Sequence, residues 1–139
     1  MKKTGKKKSS AVVRESPASF GSTTRPAFDL EERTFAFALN VRAFLREIPK
    51  SIANEEDGRQ LIRASGSVGA NYIEANESLG RKDFLMHIRI SRKEAKESRY
   101  WLRLLYLNGD ERLEGQRSIL AGEVTELMKI MGAICRVRS

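Results

Sequence analysis

The chain has 139 residues, one Cys, one His and a net charge of +8. That length suits a single domain with a core of its own. Cys135 alone excludes a disulfide framework and a cysteine zinc site within the chain, and His87 alone excludes a multi-histidine centre. No stretch approaches the roughly 18 apolar residues of a membrane span, and the basic start lacks the apolar run of a secretory signal. The expectation is a cytoplasmic protein with no membrane contact, metal or other cofactor.

The charge is unevenly placed. Residues 1–25 carry five Lys, two Arg and one Glu, a net +6, against +2 for all the rest. This Lys-, Ser-, Thr- and Gly-rich stretch cannot bury enough apolar surface to offset chain entropy, so residues 1–27 are expected to form a disordered basic arm. Lys2, Lys3, Lys6, Lys7 and Lys8 would attract a polyanion and release its counterions. A solubilising tail is the alternative. Glu15 and the scarcity of Arg speak against a transit peptide.

Residues 28–139 read as four helices. The first is expected from about Asp29, as N-cap, to Ile48, before Pro49. Leu30, Thr34, Phe37, Val41, Phe44 and Ile48 step 4, 3, 4, 3, 4 and define its core face, broadened by Phe35, Ala38, Leu39 and Leu45. Residues 50–57 are polar and read as the connection. The second helix is expected over about Gly58–Ser78, with Leu61, Ser65, Val68, Tyr72, Ala75 and Leu79 inward. Gly66 and Gly69 inside it point to close approach of a neighbouring backbone, since each costs about 1 kcal/mol against alanine.

The third helix is expected over about Arg81–Asn108, with Phe84, Ile88, Ser91, Ala95, Ser98, Leu102 and Leu105 inward and Asn108-Gly109 as its stop. The fourth is expected over about Glu111–Val137, with Leu120, Val124, Leu127, Met131 and Ile134 inward and Arg136 and Arg138 at the negative end of its dipole. Four such helices on short connections make an all-α, antiparallel up-down-up-down bundle, and the heptad-like steps favour left-handed packing.

The third helix has two further faces. Arg89, Arg92, Lys96, Arg99 and Arg103 step 3, 4, 3, 4 and form a stripe about 100° from the core direction. Five cations in line repel one another, so carboxylates of neighbouring helices or subunits, or a bound polyanion, must compensate them. Across the core face lie Met86, Ile90, Glu94, Glu97, Trp101 and Leu104. The apolar arc is wider than one buried stripe requires, which suggests that Met86, Ile90, Trp101 and Leu104 meet another copy of the chain. The alternative is that Trp101 covers the end of its own core.

Catalytic constellations are lacking. His87 and Cys135 are expected to be packed or surface residues, and Gly66–Gly69 lacks the Lys-Ser/Thr of a phosphate loop. Glu94 and Glu97 have no accompanying Glu-x-x-His, which counts against a di-iron site. Arg63, Asn71, Glu74 and Glu94 read as a polar cluster that fixes helix register.

Two runs carry a family resemblance. Residues 60–75, QLIRASGSVGANYIEA, and residues 82–102, from Lys82-Asp83-Phe84 through ISRKEAKESRYWL, resemble the motifs of the 23S rRNA-intervening sequence proteins, small bacterial four-helix bundle proteins. Glu123-Val-Thr-Glu126-Leu127-Met-Lys-Ile130 adds to the likeness, which covers about Phe28 to Val137. Ala75-Asn76, where many members place a glycine after the glutamate, and the Lys-rich arm depart from the pattern. The family is similar to the accessory variability determinant proteins of diversity-generating retroelements, which form homopentameric barrels with basic surfaces and work with a reverse transcriptase and nucleic acid. The resemblance implies an up-down-up-down bundle, a homo-oligomer (a pentamer), and RNA or DNA as partner. The alternative is a protein-interaction scaffold that touches no nucleic acid; an enzyme is the least supported reading.

Overall fold

A computed structural model describes residues 26–138; the lysines at 2, 3, 6, 7 and 8, with residues 1–25 of the expected arm, lie outside the described residues, while Pro26 and Ala27, expected in the arm, belong to the first helix. Four helices follow in order: α1 (Pro26–Leu45), α2 (Ile52–Asn76), α3 (Arg81–Leu104) and α4 (Glu111–Arg138). No strand occurs among the described residues. Each helix packs on the next and α4 closes back on α1, while the backbones of the diagonal pairs stay apart. The result is the up-down-up-down bundle that the spacing predicts.

The inward steps set its core. Leu30, Thr34, Phe37, Val41 and Phe44 of α1, Leu61, Val68 and Tyr72 of α2, Ile88 and Leu102 of α3, and Val124, Leu127 and Met131 of α4 are all buried. Of the other expected core residues, Ala38, Leu45, Ile48, Phe84 and Ile134 are half-buried, and Phe35, Leu39 and Leu79 are exposed. Phe35 and Leu39 lie beside the inward row of α1 and α2 does not reach over them. Leu79 lies beyond the end of α2, in the turn before α3.

The boundaries shift for local reasons. α1 starts at Pro26 rather than at Asp29, because proline's fixed φ suits a first helical turn. Its last α-helical residue is Leu45, and Arg46–Ile48 form a turn before Pro49. Residues 52–57 are helix rather than connection. Ser51 caps α2, its Oγ accepting from the Asn54 backbone N–H at 3.0 Å, and Glu55 sits at the positive end of the dipole. α3 stops at Leu104, and Leu105 turns extended (ψ 137°) so that Leu105 and Leu107 enter the core. Asn108 and Gly109 then take the left-handed conformation (φ 57° and 73°), and Asp110 Oδ1 accepts from Leu113 N at 3.1 Å to start α4.

Gly69 shows the expected close approach. A Cβ there would stand 2.9 Å from Thr34 Oγ1 and 3.2 Å from Thr34 Cβ. Thr34 is buried and its hydroxyl donates to Glu31 O, so it has no room to yield. Gly69→Ala is therefore expected to destabilise the bundle by about 2 kcal/mol despite the better helix propensity of alanine, as read from urea midpoints.

Candidate nucleic-acid interface

The rotation of α3 decides where its cations point, and α2 fixes that rotation. Small residues meet along the α2–α3 seam: Ala64, Ser65 and Ala75 on one side, Ser91, Ala95 and Ser98 on the other, all buried. Ser91 Oγ donates to Val68 O across the seam at 2.7 Å. At the seam's outer edge Arg63 reaches Glu94 at 3.2 Å and Glu97 at 3.3 Å, and Asn71 Oδ1 lies 3.3 Å from His87 Nδ1. Three of the four residues expected to form one polar cluster thus make two separate ties between α2 and α3. Glu74 is exposed, and its carboxylate has no hydrogen-bond or ion-pair partner among the described residues.

The far end of α3 is fastened by α4. Arg117 Nη1 donates to Leu102 O at 3.1 Å and Leu105 O at 2.6 Å, while Nη2 meets Glu114 at 2.9 Å. The guanidinium supplies donors to carbonyls that the helix end leaves open. Arg117 was not singled out in the sequence, because its partners are backbone atoms of another helix.

With α3 so held, the stripe Arg89, Arg92, Lys96, Arg99 and Arg103 runs about 21 Å along the border with α4. Arg99 is half-buried and donates to Thr125 Oγ1 at 3.1 Å; the other four are exposed. None of the five forms an ion pair among the described residues. Four acids pair with other arginines: Glu123 with Arg33 at 2.7 Å, Glu47 with Arg112 at 2.6 Å, Glu94 and Glu97 with Arg63. No described carboxylate comes within ion-pair distance of the stripe.

α4 adds cations that sequence reading passed over. Lys129, Gly132 and Arg136 are spaced three and four apart and share the face that borders the stripe. The sequence marks Arg136 only as a partner of the helix dipole. The α4 positions facing α3 are small, and a Cβ on Gly132 would stand 3.4 Å from Arg92 Nε and 3.6 Å from Arg136 Nη1. A search of α4 for basic residues seven apart would have found the pair.

The expected contact face of α3 is divided. Met86 (45% exposed) and half-buried Ile90 lie toward its start, Leu104 (47% exposed) and Trp101 toward its end, with Lys93 and Glu97 between. Trp101 packs against the protomer's own core, edge-on to Tyr100 at 5.1 Å. A second apolar surface, unforeseen in the sequence, lies in the α1–α2 groove, where Phe35 (60% exposed), Leu39 (51%) and Ile73 line a cleft floored by Gly66, Gly69 and Ala70.

No group of three or more His, Cys, Asp or Glu among the described residues stands together as a metal site. None of the described helices is long and apolar enough to cross a membrane.

Bundle, seam and cationic face together define a small all-α protein that presents one basic side. The chain belongs to the 23S rRNA-intervening sequence protein family, whose model matches residues 28–132. It is similar to a Bacteroides thetaiotaomicron protein of unknown function from the S23 ribosomal protein family, known from a crystal structure. The two share 26% identity and a TM-score of 0.65, over 76% of this chain and 97% of that one. No curated protein matches the chain.

Proposed function

We propose that the protein is a non-enzymatic, homo-oligomeric bundle that binds nucleic acid, RNA foremost, through the α3–α4 face. The observation that carries this reading is the alignment of five cations on one helix without a carboxylate partner among the described residues, where Arg33, Arg63, Arg112 and Arg117 each find one. A phosphate backbone supplies the missing charge at a spacing that side chains along a helix can follow. Lysine and arginine in a stripe read charge rather than sequence, so binding is weakly sequence-specific. Its affinity should fall with salt at a log–log slope of about −0.7 to −0.9 per phosphate engaged. A filter-binding titration of RNA across salt concentrations tests it; absence of binding at low salt would refute it. Lys2, Lys3, Lys6, Lys7 and Lys8 would add contacts from the arm.

Self-association is the second part of the proposal, with a cytoplasmic ring of copies as its form and the pentamer as the expectation drawn from the family resemblance. It is supported by the apolar side chains that a lone protomer leaves in water: Met86 and Leu104 on α3, Phe35 and Leu39 on α1. Trp101→Asp would injure the protomer's own core, so it cannot separate folding from assembly. Leu104→Asp is the cleaner change, because half of that side chain already faces water. It is expected to shift the light-scattering mass toward the monomer while helical circular dichroism stays unchanged. An unchanged mass would remove Leu104 from the contact.

The α1–α2 groove supports a second reading, a scaffold that holds a protein partner, as a retroelement accessory subunit would. Phe35→Glu with Leu39→Glu should then abolish capture of that partner and spare RNA binding.

A further inference from the structure

We infer that Arg92 and Arg136 form a discrete phosphate-gripping subsite over the bare backbone of Gly132, set at one end of the basic face. The inference rests on the nucleic-acid reading and gives that surface a fixed point of attachment.

Gly132 is buried within α4 although it has no side chain. What covers it is charge: Arg92 Nε from α3 and Arg136 Nη1 from α4 stand 3.4 and 3.6 Å from the position of its missing Cβ. The two nitrogens therefore lie within about 7 Å of each other. Neither side chain forms an ion pair among the described residues, and α4 carries no acid after Glu126. Like-charged groups in exposed positions ordinarily swing apart, since long side chains have the freedom to do so. Here they converge on one spot, from two helices whose relative placement the α3–α4 packing fixes.

Arg92 Nε and Arg136 Nη1, both beside Gly132, are near enough for the two guanidinium groups to share the oxygens of a single phosphate group. Even a methyl group at position 132 would meet Arg92 and Arg136 only at ordinary contact distance, so the two side chains lie directly on the helix backbone there. Arg89, one turn earlier on α3, continues the charge outward, and Lys96, Arg99 and Arg103 extend it in the other direction. A phosphodiester seated at Gly132 would thus set the register of a strand lying along the stripe. The same chemistry would hold a free phosphate.

The test uses the full chain and two probes, a short single-stranded RNA with a 5′-hydroxyl and inorganic pyrophosphate. Arg92→Lys and Arg136→Lys keep the charge and lose the fork. Each is expected to weaken RNA binding about tenfold, and the double variant little more than either alone, because both grip one group. Arg103→Lys should change it less than about twofold. Unfolding midpoints and circular dichroism confirm that the bundle is intact in each variant. Pyrophosphate should bind the wild type by calorimetry and lose that binding in Arg92→Ala. If the wild type binds RNA but the lysine swaps at 92 and 136 behave like the swap at 103, the subsite is overturned and the charge is diffuse. Should RNA fail to bind while pyrophosphate binds and depends on Arg92 and Arg136, the subsite stands as a site for free phosphate and the nucleic-acid reading falls. Failure of both probes on the wild type overturns the subsite and the reading together.

Discussion

Replacing Arg89, Lys96, Arg99 and Arg103 together by alanine is expected to lower RNA affinity by about two to three orders of magnitude near physiological salt, with the helix content unchanged. Each phosphate contact contributes through release of condensed counterions, so four lost contacts remove about four such contributions and flatten the log–log salt slope by about three. The fold should tolerate the change because three of the four side chains are exposed, and the fourth, Arg99, gives up one hydrogen bond to Thr125. Relief of mutual repulsion works in the variant's favour. Arg112→Ala is a single-charge control: it removes one cation from the surface, but from a guanidinium already held by Glu47 at 2.6 Å. Fluorescence anisotropy at several salt concentrations reads both. If the quadruple variant binds as the wild type does, the stripe meets carboxylates of a second copy instead, and its loss should then appear in the assembly mass.

The inward rows were legible because a repeat of alternating threes and fours permits one face only. Leu30, Thr34, Phe37, Val41 and Phe44 are buried as that repeat requires, Thr34 included despite its hydroxyl. The same rule fails for residues beside the row. Phe35 and Leu39 are as apolar as Phe37, but whether they are covered depends on the tilt and girth of α2, which Gly69 brings close without reaching over them, while Gly66 meets only the end of Arg42. The stripe on α3 was legible for the same reason as the core rows, since five cations on one helix share a direction by arithmetic alone. Lys129 and Arg136 join it only after α3 and α4 pack side by side: their seven-residue spacing puts them on one face of α4 but does not say which helix that face borders. The end of α3 misled in the opposite sense. Leu105 continues the helical step, but Arg117 and Asn54 bind the chain's carbonyls and amide there, and the segment leaves the helix to bury Leu107. Those partners lie 12 and 52 residues away in sequence.

Asn54→Ala is expected to destabilise the bundle by about 3 kcal/mol and to lower its midpoint by about 10 °C or more, although every residue from Lys50 to Asp57 except Ile52 and Ala53 is polar and the segment reads as a solvated linker. The Asn54 carboxamide joins two connections at one end of the bundle. Its Nδ2 donates to Pro49 O at 2.9 Å and to Tyr106 O at 2.8 Å, and its Oδ1 accepts from Tyr106 N at 2.9 Å. The residue is 4% exposed, so truncation strands two carbonyls and an amide in a nearly dry site, each at about 1–3 kcal/mol less whatever water recovers. Asn54→Asp separates this account from simple loss of packing. It keeps the shape and the acceptor for Tyr106 N, but turns an oxygen toward two carbonyls where a donor is needed. Facing those carbonyls, the introduced carboxyl should hold its proton more tightly in the folded chain than its ordinary pKa of about 3.9 in the unfolded one. Its favourable contribution is then present below that value and is lost as pH rises through the folded pKa. The stability of Asn54→Asp relative to Asn54→Ala should therefore improve on acidification and worsen toward neutrality, measured by urea unfolding across pH. A difference that stays flat would mean that the carboxamide fills space at this junction without bonding it. At temperatures well below the midpoint, RNA affinity should stay at the wild-type value in Asn54→Ala, because the α2–α3 seam and Arg117 still hold the cationic stripe in place.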